Sequence, residues 1–243
     1  MEDYLKALLI ALLPAVGILA GALLAERFNV TQRTLSLALH MAAGIMLGAV
    51  GVELMPEALK GNPPWVPIVA FLLGGGFAIL LDRVTSFVST RMGAKVEGGP
   101  WALFIGVCAE VFSDGLMVGT GTSVEFGLGL LLGLAQAPGN IPEGFATMAS
   151  FREMKVPRMQ RILLVTAFVV PIVVGVTLGY WGVRGQPPIV QLSLLAFIAG
   201  LLLTIAIEEI VPQAHEKGRD SRTATGLLLG GFALFALLAV YFD

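Results

Sequence analysis

Eight apolar segments occupy almost the whole chain, at roughly residues 7–25, 35–58, 65–87, 101–121, 126–150, 161–182, 188–212 and 223–242. Each is long enough to cross a hydrocarbon core about 30 Å thick as a helix. Inside such a core only helices and closed barrels leave no backbone group unsatisfied. With 56% of its residues apolar and 13% charged, a chain of 243 residues has too little polar surface to cover itself in water. The expected fold is an all-α polytopic membrane protein, a single transmembrane domain over residues 1–243 with eight transmembrane helices. Too little chain remains for a soluble catalytic or nucleic-acid-binding module. A net charge of −2 offers nothing to a polyanion.

Lys and Arg alternate by loop. Twelve fall between segments 1–2, 3–4, 5–6 and 7–8: Arg27 and Arg33; Arg83, Arg91 and Lys95; Arg152, Lys155, Arg158 and Arg161; Lys217, Arg219 and Arg222. Only Lys6, Lys60 and Arg184 lie on the other side. The positive-inside rule then puts both termini outside. MEDYLK carries two acids and one lysine ahead of segment one, the wrong sign for a cleaved leader, so that segment is expected to be retained. The lone Cys108 lies within segment four and has no partner for an internal disulfide.

Along the chain, Pro14 should bend segment one and Pro171 interrupts segment six, which has no ionisable residue. The glycine triplet Gly74–Gly76 suits close helix packing, since no strand precedes it and no lysine follows in P-loop register. Asp82 and Arg83 are expected to pair, the loop at 88–100 to be flexible, and GTGTSVE to make a tight turn between segments four and five. Segment eight reads as scaffold.

AGIMLGAVGVELMPEAL from Ala43 matches AGLLLTIAIEEIVPQAH from Ala199 without a gap. Gly44 answers Gly200, Glu53 answers Glu209, and Pro56 answers Pro212. Segments two and seven cross in opposite directions, so the repeat is inverted, as in many secondary transporters. The expected arrangement is 3+2+3, with helices 1–3 and 6–8 as the repeats. Glu53 is then assigned to the outer approach and Glu209 to the inner, with Glu208 and His215 beside it. His40 and His215 each stand isolated near a span's end, where a satisfied interfacial histidine is the simpler reading.

Two stretches place ionisable groups deep in apolar sequence: AEVFSDG at 109–115 and PGNIPEG at 138–144. Glu110 and Asp114 share one helix face, and Gln136, Asn140 and Glu143 share another. Counted from Pro100 and Arg152, Glu110 and Glu143 both lie about 14 Å deep, near the middle of the bilayer, with Asp114 and Gly139 in the next layer outward. An acid at that depth costs several kcal/mol unless it is paired, protonated or holding a cation. Pro142 cannot donate to the Pro138 carbonyl, and Gly139 loosens the same turn, so a broken helix should offer carbonyl oxygens as well. Met117, one turn beyond Asp114, is better placed for packing than for offering sulfur.

At NIPEG, with EVFSDG before it and EEIVP after it, the chain resembles the ZIP (Zrt/Irt-like) family of divalent metal transporters. The resemblance covers nearly the whole chain, and N-x-P-E-G is its most specific part. It implies a metal site built from spans four and five, a homodimer, and an elevator-like motion of spans one, four, five and six against the others. Glu110 stands where the family's span-four histidine is expected, Val111 where its asparagine is, and Asp114 where its glutamate is. Gly139 replaces a histidine or glutamine, Asn140 and Glu143 match, and Val170 replaces the acid of span six. A second metal position thus loses two ligands, while the first keeps carboxylates in place of imidazoles. Such a site suits Mn²⁺ or Fe²⁺ as well as the zinc that the family implies.

The expectation is a divalent metal transporter and not an enzyme, working by alternating access in a cytoplasmic membrane. Glu110, Asp114 and Glu143 are its metal ligands, with Asn140 and Gln136 auxiliary. The ion and the bilayer are its partners, with no nucleic acid and no cofactor beyond the transported ion. Protons should compete with metal for the carboxylates. Two other readings stay open: a ZIP-like scaffold or metal-binding protein without flux, and an intramembrane hydrolase using Asp114 and Glu143 as an acid–base pair.

Overall fold

A computed structural model describes residues 2–28, 31–91, 100–217 and 222–242. Among these the chain is helical with short connections and holds no strand. The order is α1 (Glu2–Ile10), α2 (Leu12–Arg27), α3 (Gln32–Gly48), a π-helical segment (Ala49–Leu54), α4 (Met55–Ala58), α5 (Trp65–Arg91), α6 (Pro100–Val124) and α7 (Phe126–Glu153). Then follow α8 (Arg158–Ala167), α9 (Val169–Val183), α10 (Pro188–Ile205), a second π-helical segment (Ala206–Ile210), α11 (Val211–Lys217) and α12 (Arg222–Phe242).

Six helical stretches among the described residues are long and apolar enough to cross a membrane: Glu2–Arg27, Gln32–Ala58, Leu103–Val124, Arg158–Val183, Pro188–His215 and Arg222–Tyr241. The expected third span contributes a shorter apolar stretch, Trp65–Leu80. The expected fifth is α7, long enough at 28 residues but diluted by Gln136, Asn140, Glu143 and two prolines. The loop expected at 88–100 falls largely outside the described residues, as does the Asp82 side chain of the expected Asp82–Arg83 pair.

Prolines set the local breaks. Pro14 has no N–H for the Ile10 carbonyl, and the chain turns at Ala11, where the next bond, Ala15 N–H to Ala11 O, stretches to 3.4 Å. Pro171 does the same to segment six. It turns at Phe168, and Ile172 N–H reaches Phe168 O at 3.5 Å. Pro56 and Pro212 act differently. The residue before each, Met55 or Val211, donates five residues back, to Val50 or Ala206. Widening the turn to the π form makes room for a ring that would clash with the carbonyl four residues back.

Glycines let four helix pairs close backbone to backbone. Gly17 and Gly21 of α2 lie on the Ala137 and Ile141 carbonyls of α7. Gly175 and Gly179 of α9 lie likewise on Phe112 and Leu116 of α6. Gly44 of α3 meets the Leu228 carbonyl of α12, and Gly200 of α10 meets the Phe71 carbonyl of α5. Gly231 returns onto Met41, and Gly74 onto Phe197. The tight turn between α6 and α7 falls at the last residue of GTGTSVE: Glu125 alone is non-helical. Gly121 and Gly129 allow it, since a Cβ on Gly121 would lie 3.1 Å from the Gly129 Cα.

PGNIPEG does not break its helix. Pro138 and Pro142 both lie inside the continuous α7. Each proline removes only its own donor, and the flanking turns and the tight α2 contact hold the axis. At one end of the bundle Arg161 grips Glu26 with two bonds, Nε to Oε2 at 2.9 Å and a terminal nitrogen to Oε1 at 2.7 Å. Arg152 donates to the Ala25 carbonyl there, so α2, α7 and α8 are tied together.

Candidate metal site

α6 presents Glu110 and Asp114 one turn apart, and the antiparallel α7 presents Glu143, Asn140 and Gln136 against it. The groups meet as two rungs. In the first, the Asn140 amide nitrogen donates to Asp114 Oδ2 at 2.8 Å. The same nitrogen lies 3.4 Å from the Pro14 carbonyl of α2. Asp114 and Asn140 are each 4% exposed, so the rung is dry.

The second rung is a cavity of about 190 Å³ lined by both Glu110 and Glu143. Thr147 and Ser150 of α7 add hydroxyls, and Ile210 and Gln213, from the end of segment seven, close the far side. Glu143 is buried and Glu110 half-buried. Oxygen ligands from two helices therefore face one space of a size for an ion with some of its water.

Gln136 lies one turn beyond Asn140, 5% exposed, and neither its amide oxygen nor its nitrogen has a hydrogen-bond partner. A buried amide left so costs a few kcal/mol, and such groups usually mark an ion or water position. It fits the donor set expected of an auxiliary ligand.

The expected three-carboxylate cluster is not drawn together in one shell. Among the described residues, no three His, Cys, Asp or Glu side chains stand close enough to hold a single metal ion. Asp114 belongs to one rung, Glu110 and Glu143 to the other, because one helical turn separates Glu110 from Asp114. Met117 packs in the core with Leu128 and Leu132. Val170 is 63% exposed and points away from the cavity, so span six puts no ligand there at that position.

Of the expected approach residues, Glu53 sits in the first π-helical segment and Glu208, exposed, in the second. The Glu209 side chain lies outside the described residues. The two histidines are not isolated, as sequence spacing suggested. Their ring centroids lie 5.0 Å apart, with the planes at 64°. Sequence reasoning also missed both π-helical segments, although E-x-x-P standing in both copies of the repeat was a usable signal.

A sequence model of the ZIP zinc transporter family matches residues 93–239, more than half of the chain. A zinc transporter ZupT from Chlorobium phaeovibrioides is 28% identical, over 98% of this chain and 98% of that protein. A ZupT from Chlorobium limicola is 28% identical and one from Shigella dysenteriae 27%. Each covers 95% of this chain and 96% of the relative.

Proposed function

The chain belongs to the ZIP family of zinc transporters, and on that premise we propose that it carries a divalent metal ion across a bacterial cytoplasmic membrane by alternating access. It is a multi-pass transporter and not an enzyme. The observation that carries the proposal is the stacking of the dry Asp114–Asn140 rung on the Glu110–Glu143 cavity. In this reading Glu110, Asp114 and Glu143 are the ligands, and Asn140 and Gln136 add amide oxygens. Zinc is the default substrate from the family. The oxygen-only donor set extends it to Mn²⁺, which carboxylates suit better than imidazoles do, and to Fe²⁺.

The proposed architecture has eight spans in a 3+2+3 order, both termini outside, with spans 1–3 and 6–8 as inverted repeats. Supporting it are paired features: stretched bonds three residues before Pro14 and Pro171, π-helical turns before Pro56 and Pro212, and glycine contacts in corresponding helix pairs. With the Lys- and Arg-rich loops inside, the Glu110–Glu143 cavity lies in the cytoplasmic half. We assign this conformation as inward-facing. Glu53 then serves the outer approach, and Glu208, Glu209 and His215 the inner. The unit that moves is spans one, four, five and six, knit by the α2–α7 and α6–α9 contacts and by the Glu26–Arg161 clamp. The homodimer that the family resemblance implies belongs to the same proposal.

The test is uptake of Zn²⁺, Mn²⁺ and Fe²⁺ into proteoliposomes by wild type, Asp114→Ala and Glu143→Ala. Both variants should lose transport. Unchanged flux in both would remove these residues from the path.

A further inference from the structure

His40 and His215 are the chain's only histidines, 175 positions apart, on α3 and α11. Neither belongs to the two rungs. Folding sets their rings 5.0 Å apart between centroids, and each ring is oriented by its own helix. His40 Nδ1 lies 2.7 Å from the Ser36 carbonyl, and His215 Nδ1 lies 2.6 Å from the Val211 carbonyl. A carbonyl only accepts, so both neutral rings carry hydrogen on Nδ1 and the lone pair on Nε2. Metal-binding histidines use this arrangement, the second nitrogen being anchored to fix tautomer and direction.

The helices are also strapped together beside the rings. Ser36 Oγ donates to the Ala214 carbonyl at 2.7 Å, joining the residue one turn before His40 to the neighbour of His215. The π-helical turn at Ala206–Ile210 inserts one residue ahead of α11. That turns everything after it by roughly 100° and brings His215 to the α3 side. Two imidazoles on one tetrahedral ion, with metal–nitrogen bonds of about 2.0–2.1 Å, have ring centres about 5 Å apart. The observed spacing fits.

We propose that His40 and His215 form a two-imidazole metal site at the end of spans two and seven, taking a borderline divalent ion such as Zn²⁺ with water completing the shell. Gln213 lines the Glu110–Glu143 cavity, whereas His215, two residues on and about 200° round α11, faces α3, so the two sites lie on different sides of that helix. An edge-to-face ring contact that only packs two helices is the competing account.

The experiment is zinc X-ray absorption on the detergent-solubilised full chain, purified with a histidine-free tag and loaded with one equivalent of Zn²⁺ after chelation. Any imidazole scattering must then come from these two residues. Wild type, where the carboxylates share the zinc, should show imidazole beside oxygen, and Asp114→Asn should show more imidazole. His215→Gln, at an exposed position, should show fewer, and His40→Gln/His215→Gln none. An Asp114→Asn spectrum with oxygen neighbours only would overturn the proposal, and so would an imidazole count unchanged by His215→Gln. Because the readout is bound metal rather than flux, it separates this site from the transport reading: Asp114→Asn tests one, His215→Gln the other.

Discussion

The Asn140 amide donates to the Asp114 carboxylate across 2.8 Å, joining α7 to α6 where both side chains are 4% exposed. The bond orients the acid before any ion arrives. Asn140→Ala removes that support and leaves the carboxylate buried. Metal affinity should fall about ten- to a hundredfold, as when other outer partners of a ligand are lost. Stability should fall by about 1–3 kcal/mol. Isothermal titration with Zn²⁺ and thermal melting of the purified protein read the two effects. Asp114→Asn, nearly isosteric, should abolish uptake while moving the melting temperature much less.

Glu110→His would place an imidazole where the oxygen set now has a carboxylate. Competition uptake should then shift toward Zn²⁺ against Mn²⁺, since imidazole favours the former. Equal preference before and after would mean that Glu110 does not touch the ion.

Acid should slow transport. The ligands must be deprotonated to bind, so metal loading releases protons and lower pH opposes it. Zinc titrations run in buffers of different ionisation enthalpy should report proton release on binding, and Glu143→Gln should reduce the number released.

Gly21→Ala should fail where Gly76→Ala succeeds. A Cβ at Gly21 would lie 1.9 Å from the Ile141 carbonyl, whereas at Gly76 nothing stands within 4 Å. Forcing α2 off α7 costs typically 1–3 kcal/mol or more and separates Pro14 from Asn140. Size-exclusion profiles and melting temperatures of the two variants distinguish them.

Arg161→Ala should loosen one end of the α2–α7–α8 group. Both partners are only about 15% exposed, and Glu26 would keep Arg158 at 3.1 Å as its remaining partner. The expected loss is about 1–2 kcal/mol, below the 3–5 kcal/mol of a fully buried pair. Melting at low and high salt measures it.

Much of this molecule is written in short-range terms. Apolar runs mark the long helices because transfer into hydrocarbon acts residue by residue. Pro14 and Pro171 break their helices because the missing N–H is a covalent fact. Depth along two antiparallel helices sets Glu110 against Glu143 and Asp114 near Asn140. Other features depend on residues far apart in the chain. PGNIPEG reads locally as a break, yet α7 runs through it, because packing against α2 outweighs two lost donors. His40 and His215 look solitary until a π-helical turn rotates one toward the other and Ser36 bonds to the Ala214 carbonyl. Local energies settle what each helix is. Which faces meet is decided by glycine contacts and hydrogen bonds between different helices, and those exist only once the chain has folded.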